Sequence, residues 1–215
     1  MNRHEQWREW YENEKKQPYF QKIYQKALEL DSQVLLSPSP DLWFKAFEFV
    51  DFTKIHTLII GNRPHHHAYA SDGYAFSSID DPDREMGLLY RKLYDELGIV
   101  YNQEDNSKER WVKQGILPMN IELTTISGNP LNTERLWYPF TRRVIRYFID
   151  DIQLRAFIFL DRFTPYMPEL FVDKLSKEHL YVNCHLWSTD FQSKKIFTPV
   201  NDFIEKNYSY RIDWQ

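Results

Sequence analysis

The stretch from Leu58 to Ser77, LIIGNRPHHHAYASDGYAFS, constrains this chain more than any other. Thr57, Leu58, Ile59 and Ile60 form a short apolar run that stops at Gly61. A β-branched and leucine run bounded by glycine reads as a buried strand, here over 56–60. Asn62, Arg63, Pro64 and three consecutive histidines follow, then Gly73 and a second apolar run ending at Ser77. Polar, ring-bearing side chains just past the end of a buried strand sit where open α/β sheets form their ligand crevice. The competing local reading is a strand, a turn and a second strand.

The rest of the chain alternates helical and strand-like segments. Residues 5–30 carry Trp7, Trp10 and Tyr11 at helical spacing, and Pro18 starts a second helix there, since proline is tolerated in a first turn. Asp41 reads as the N-cap of a helix bearing Trp43, Phe44, Phe47 and Phe49. Met86, Leu89, Leu93 and Leu97 form one stripe of a helix over 84–97, with Gly98 as its stop. Asp80 to Asp83 forms an acidic loop before it. A second strand is expected over Ile116 to Thr124, and a strong helix over Thr133 to Ile149 with Trp137, Phe140, Val144 and Phe148 inward. A third strand over Ala156 to Leu160, a helix near Pro168 to Leu175, a fourth strand over Leu180 to Cys184 and a last helix over 196–207 complete the pattern. Strands alternating with helices imply an α/β fold: a central, mainly parallel four-stranded sheet covered on both faces, in three α/β/α layers.

Size and composition narrow the class. The 215 residues suit one domain, 1–215, and 15 Phe, 14 Tyr and 7 Trp supply an ample core. The formal net charge of −4 means that any nucleic-acid surface must come from a local basic patch. Cys184 is the only cysteine, which excludes an intrachain disulfide and suits a reducing compartment. The charged start MNRHEQWREW has no apolar signal segment, and no run approaches the ~18 residues of a membrane span. A soluble intracellular protein is expected, cytoplasmic or nuclear, working as a monomer without a cofactor or metal.

Three polar groups fall just beyond predicted strand ends: the Asn62–His66 turn, Asn120, and His185. In a parallel sheet these ends share one edge, so one site is expected from segments distant in sequence. Each is weak alone, because a lone asparagine or histidine is more often structural than catalytic.

An ordered set of short matches resembles the family 1 uracil-DNA glycosylases along nearly the whole chain. Pro18-Tyr19-Phe20 matches an N-terminal PYF, and Phe44 and Ala46-Phe47 precede the first strand as in that family. GNRPHH at 61–66 stands where the family has GQDPYH, and Gly73-Tyr74-Ala75-Phe76-Ser77 resembles its G-L-A-F-S. QGILPMN at 114–120 resembles QGVLLLN, Trp137, Phe140 and Thr141 match W-x-x-F-T, Phe197 to Asn201 resembles F-S-x-x-N, and Ile212-Asp213-Trp214 resembles a terminal I-D-W. The resemblance implies a DNA-binding protein that flips a uracil nucleotide out of the stack into a pocket. Phe76 would then stack on the base, and Asn120 would read its edge with one donor and one acceptor. His185 would hydrogen-bond O2 and stabilise the departing anion. Asn62 would assist through its backbone, and Ser77 would contact a phosphate. His66, Ser188, Lys194 and Lys195, with the arginines of the 137–149 helix, would complete the DNA-facing set.

The departures from the family pattern carry as much information. Arg63 stands at the position of the family's water-orienting aspartate, and a guanidinium cannot act as a base. The departing base leaves a cation-like sugar, and two unit charges ~4 Å apart interact by ~4 kcal/mol at an effective dielectric of ~20. An inward-pointing Arg63 would slow the reaction by roughly three decades; turned outward, it would suit a phosphate. His65 replaces the tyrosine that blocks the thymine methyl. The family's H-P-S-P-L segment reads His185-Leu186-Trp187-Ser188-Thr189, so Leu186 or Trp187 would have to replace the wedge leucine. Three functional readings stay open: base recognition with impaired hydrolysis; an active glycosylase of altered specificity, with Asp72, His65 or His66 orienting water; and a non-enzymatic decoy or protein-binding scaffold. A metal site built from His65, His66, His67 and His185 is disfavoured, since neighbouring residues of an extended segment point opposite ways.

Overall fold

A computed structural model describes the chain except for residues 68, 81, 83, 103–104, 130–134 and 161–178. The helix expected near 168–175 lies outside the described residues, as do Asp81 and Asp83.

Four strands form the central sheet: β2 (Thr57–Gly61), β3 (Ile116–Asn120), β5 (Ala156–Phe159) and β6 (Leu180–Asn183). Their order is β3-β2-β5-β6, and all three pairings are parallel. Side chains alternate across a strand, and here the alternation divides two cores. Leu58, Ile60, Leu117, Met119, Phe157 and Phe159 face one, while Ile59, Ile116, Ile158 and Val182 face the other. The first core is closed by α1 (Arg3–Lys15), α2 (Pro18–Gln33), α3 (Lys45–Glu48) and α6 (Tyr138–Asp150). The second is closed by α4 (Arg84–Leu97), α5 (Glu109–Lys113) and the last helix, α7 (Phe197–Tyr208). The expected three-layer arrangement is the one observed.

Local chemistry explains most element ends. Asn2 and Glu5 form a reciprocal capping box at the start of α1. Pro18 opens α2. Gly98, at φ +70°, follows α4 in a conformation that side chains resist.

Several expectations need correction. Asp41 caps no helix: Pro40–Leu42 is a 3-10 turn, and Phe44 precedes the one-turn α3. The run 73–77 is a turn-rich loop, not a second strand. The second strand stops at Asn120, because its partner Gly61 ends β2 and the chain bends at Asn62 and Arg63. Thr125–Ile126 instead forms β4, antiparallel to β1 (Leu36–Ser37). Helix α6 begins at Tyr138, not at 133, because Pro139 is tolerated only in a first turn.

The C-terminal matches are structural. Asn201 Oδ1 accepts from Ile212 N at 3.1 Å and Trp214 Nε1 at 3.2 Å, and Gln114 pairs with Asp213 through both its amide atoms. Among the described residues, no helix is long and apolar enough to cross a membrane.

Candidate functional site

The C-terminal ends of the four parallel strands lie along one sheet edge, and they bring the predicted polar groups there. Gly61 pairs with Asn120 across β2 and β3. The two residues are so close that a Cβ on Gly61 would lie 2.5 Å from Asn120 Oδ1 and 3.2 Å from Phe76 Cε2. Only glycine lets the asparagine and the phenylalanine ring meet over this strand end. Asn120 is 3 % exposed, and its Oδ1 is buried without a hydrogen-bond partner among the described residues. A buried acceptor left unpaired is costly, and in a pocket it marks unused capacity for a ligand donor. The Ala75 N–H donates to Pro118 O at 3.2 Å, which ties the 73–77 loop to β3. Phe76 sits at φ +56°, a backbone state that a bulky side chain adopts at a cost of ~1–2 kcal/mol.

The histidine loop is held by its backbone. Ser37 Oγ donates to His65 O at 2.7 Å and to His67 O at 3.2 Å, and Gly128 N donates to His66 O at 2.8 Å. The His65 ring is buried and folded onto its own loop, with Nδ1 accepting from His67 N at 3.1 Å. Asn62 offers its carbonyl to Glu122 N at 2.8 Å. Among the described residues no group of His, Cys, Asp and Glu is arranged to hold a metal ion.

Ser77 and Asp72 form a hub beneath this loop. Asp72, 3 % exposed, accepts from Tyr74 N at 3.1 Å, Ser77 Oγ at 2.8 Å and Ser107 Oγ at 3.1 Å, and pairs with Lys45 at 3.5 Å. Its oxygens are committed to holding the loop, which removes Asp72 as a water-orienting base. The Ser77 hydroxyl is buried and also accepts from Lys108 N at 2.9 Å, so the serine fastens two loops together.

His185 follows β6, two strands from β2, or ~10 Å across the sheet. Its Nδ1 accepts the Trp187 N–H at 2.8 Å. That contact assigns the ring hydrogen of the neutral form to Nε2. Ser188 closes the turn by donating its N–H and its hydroxyl to His185 O. Leu186 is 3 % exposed and packs in the second core, so it is no wedge; the turn directs it inward. Trp187 is 43 % exposed, with the Arg84 guanidinium 4.3 Å from its ring centre. Lys194 donates to Asn183 O beside this turn, and Lys195 is exposed. Glu96 anchors the loop's far end by accepting from the backbone N–H groups of Ile196, Phe197 and Thr198.

Glu122 has no place in the sequence-based set. It lies two residues past Asn120, is 9 % exposed, and accepts from Trp137 N at 2.9 Å through Oε2. Its Oε1 is buried without a hydrogen-bond partner among the described residues. Burial pushes its carboxyl up to about 7; backbone N–H groups at the start of α6 and the charge of Arg63 pull the other way. The only sequence signal was a carboxylate in the otherwise uncharged run 114–128.

The fold is a three-layer α/β protein with polar groups gathered at the C-terminal ends of its parallel strands. Mimivirus uracil-DNA glycosylase has the same fold, with a TM-score of 0.80 at 17 % identity over 97 % of this chain and 85 % of that one. A uracil-DNA glycosylase of Aliarcobacter butzleri (strain RM4018) is 30 % identical over 149 residues, 67 % of this chain and 69 % of the relative. One of Mesomycoplasma hyopneumoniae (strain 7448) is 26 % identical over 212 residues, 94 % of each chain. No family model matches. On these likenesses the chain belongs to the uracil-DNA glycosylase superfamily.

Proposed function

We propose that this protein binds DNA and recognises a flipped uracil or a closely related pyrimidine at the strand-end site, in the manner of family 1 glycosylases. Hydrolysis of the glycosidic bond is slow because Arg63 occupies the position of a carboxylate. The observation that carries this reading is Asn120: a buried amide with an unused acceptor, packed against Gly61 and Phe76. Phe76 offers the face on which a base stacks, and the amide reads the base edge. His185, with Nδ1 already occupied, donates Nε2–H to O2 as negative charge develops on the leaving base. Arg63 has the wrong sign for the sugar, which becomes cation-like in the same step. Trp187 supplies the exposed aromatic wedge, and His66, Ser188, Lys194 and Lys195 form the rim that meets the backbone.

A second reading has one observation in its favour. The His65 ring is drawn onto its own loop by the His67 amide, which leaves room for a 5-substituent on the pyrimidine.

Equilibrium binding to single-stranded oligonucleotides carrying one uracil, thymine or cytosine tests both readings. Tighter binding to uracil than to cytosine supports base recognition, and equal affinity for uracil and thymine supports the second reading. Identical affinity for all three contradicts a base-reading pocket and favours the protein-binding scaffold.

A further inference from the structure

We propose that Arg84 is a further DNA contact and a positioning residue for Trp187: lying over the exposed indole, it holds the ring for entry into a duplex and offers its N–H donors to the neighbouring backbone phosphate. The inference deepens the DNA-binding reading above and rests on it.

The contact is a direct one. The Arg84 guanidinium carbon lies 4.3 Å over the centre of the Trp187 ring. Arg84 is exposed, and Trp187 is 43 % exposed. A guanidinium over a ring face is held by the ring's quadrupole and spends no N–H donor on it. Arg84 makes no hydrogen bond or ion pair with another described residue. Arg91, farther along α4, differs: it pairs with Asp95 at 3.3 Å. The Arg84 donors are therefore open to solvent, and their planar fork matches two oxygens of a phosphate.

The rest of α4 carries the segment to which Trp187 belongs. Lys92 Nζ donates to Gln192 O at 2.8 Å. Glu96, paired with Lys92 at 3.6 Å, accepts from the backbone N–H groups of Ile196, Phe197 and Thr198. Arg84, Lys92 and Glu96 span ~18 Å of the helix, so α4 backs the chain from the His185 turn to the start of α7. The side chains of Lys92 and Glu96 are buried and hold the far end. At the near end the Trp187 N–H is fixed by His185 Nδ1, and the ring by Arg84. A ring already ordered loses less freedom on entering DNA, and a cation beside it meets the backbone that flanks the opened step.

Two measurements test this. The first follows the Arg84 side-chain protons by NMR in the wild type and in Trp187→Ala. They should be displaced by the ring current in the wild type and return to the position of a free arginine in Trp187→Ala; unchanged resonances overturn the contact. The second measures, across a salt series, binding of a duplex carrying one uracil. Arg84→Gln should weaken binding at low salt by about threefold to tenfold and lower the slope of log affinity against log salt by about 1. Arg84→Lys should keep the slope and still lose affinity, since an ammonium does not stack as a guanidinium does. The losses of Arg84→Gln and Trp187→Ala should be coupled, the double variant losing about twofold to fivefold less than the two single losses combined. A folded Arg84→Gln protein with wild-type affinity and slope overturns the proposal. A loss at unchanged slope overturns the phosphate contact, and uncoupled losses overturn the positioning role. A wild type that binds no DNA fails the DNA-binding reading and the phosphate contact with it, while the NMR comparison still decides whether Arg84 holds the ring.

Discussion

Replacing Gly61 by alanine tests the proposed base pocket beside Asn120 and Phe76. The added Cβ would lie 2.5 Å from Asn120 Oδ1, 3.1 Å from Ala75 Cβ and 3.2 Å from Phe76 Cε2. Carbon and oxygen normally approach to ~3.3 Å, so the asparagine must move by roughly 0.8 Å. Gly61 is not among the positive-φ residues, so the backbone tolerates alanine and the effect is steric. Overpacking of this kind costs ~1–3 kcal/mol, which lowers Tm by about 3–10 °C in a chain of this size. Displacing a base-reading group by ~1 Å costs about 100-fold in the step it serves. Gly61→Ala should therefore lose most of its preference for a uracil oligonucleotide over a cytosine one, while binding the cytosine oligonucleotide nearly as the wild type does. Fluorescence anisotropy with both oligonucleotides, beside a thermal melt, reads the two effects separately. An unchanged uracil preference in the folded variant would refute the placement of Asn120 in the pocket.

Further outcomes follow from the same geometry. Trp187→Ala should weaken binding to duplex DNA more than to single-stranded DNA and leave Tm within about 1–2 °C of wild type, because the ring is exposed; equal loss on both substrates removes Trp187 as a wedge. Asp72→Ala strips a buried partner from Tyr74, Ser77, Ser107 and Lys45, and should cost ~3–5 kcal/mol, a drop of about 10 °C in a melt; a drop of a degree or two would show that the hub holds little. Two groups should shape stability against pH in opposite directions. Glu122 has a carboxyl raised to about 7, so the folded state binds its proton more tightly, and a contribution on the order of 3 kcal/mol present below pH ~4.5 is lost as pH rises through 7. His56 is lowered to about 4 by burial and by Arg3, so its contribution is present above pH 6.5 and is lost as pH falls towards 4, with a smaller size because the ring is only half-buried. Urea melts from pH 4 to 8 should show Glu122→Gln losing the alkaline decline and keeping the acid one; a Glu122→Gln curve parallel to wild type contradicts the raised carboxyl.

The sheet and its edge were readable because short continuous apolar runs, buried on both faces, are local signals. Thr57–Gly61 and Ala156–Phe159 stand out by composition alone, and glycine or asparagine marks where three of the four strands end. The elements that were misjudged depend on partners far along the chain. Thr125–Ile126 is a strand only because Leu36–Ser37 lies beside it. Tyr138 starts α6 partly because Glu122 accepts the Trp137 N–H. Leu186 and Trp187 are neighbours of similar hydrophobicity, and only the turn at His185 sends one into the core and the other to solvent. The site shows the same division. Asn120, Phe76 and His185 were legible through short motifs, whereas the committed oxygens of Asp72 and the buried carboxylate of Glu122 became visible only once Ser107 and Trp137 were placed beside them.

The central claim, that an intact base pocket carries a cation where hydrolysis needs a carboxylate, is tested most directly by uracil release from single-stranded DNA in the wild type and in Arg63→Asp. The account predicts a slow or inactive wild type and a gain of about 1000-fold or more in Arg63→Asp, the size of the ~4 kcal/mol electrostatic penalty. A wild type that already releases uracil rapidly, with Arg63→Asp no faster, would contradict it.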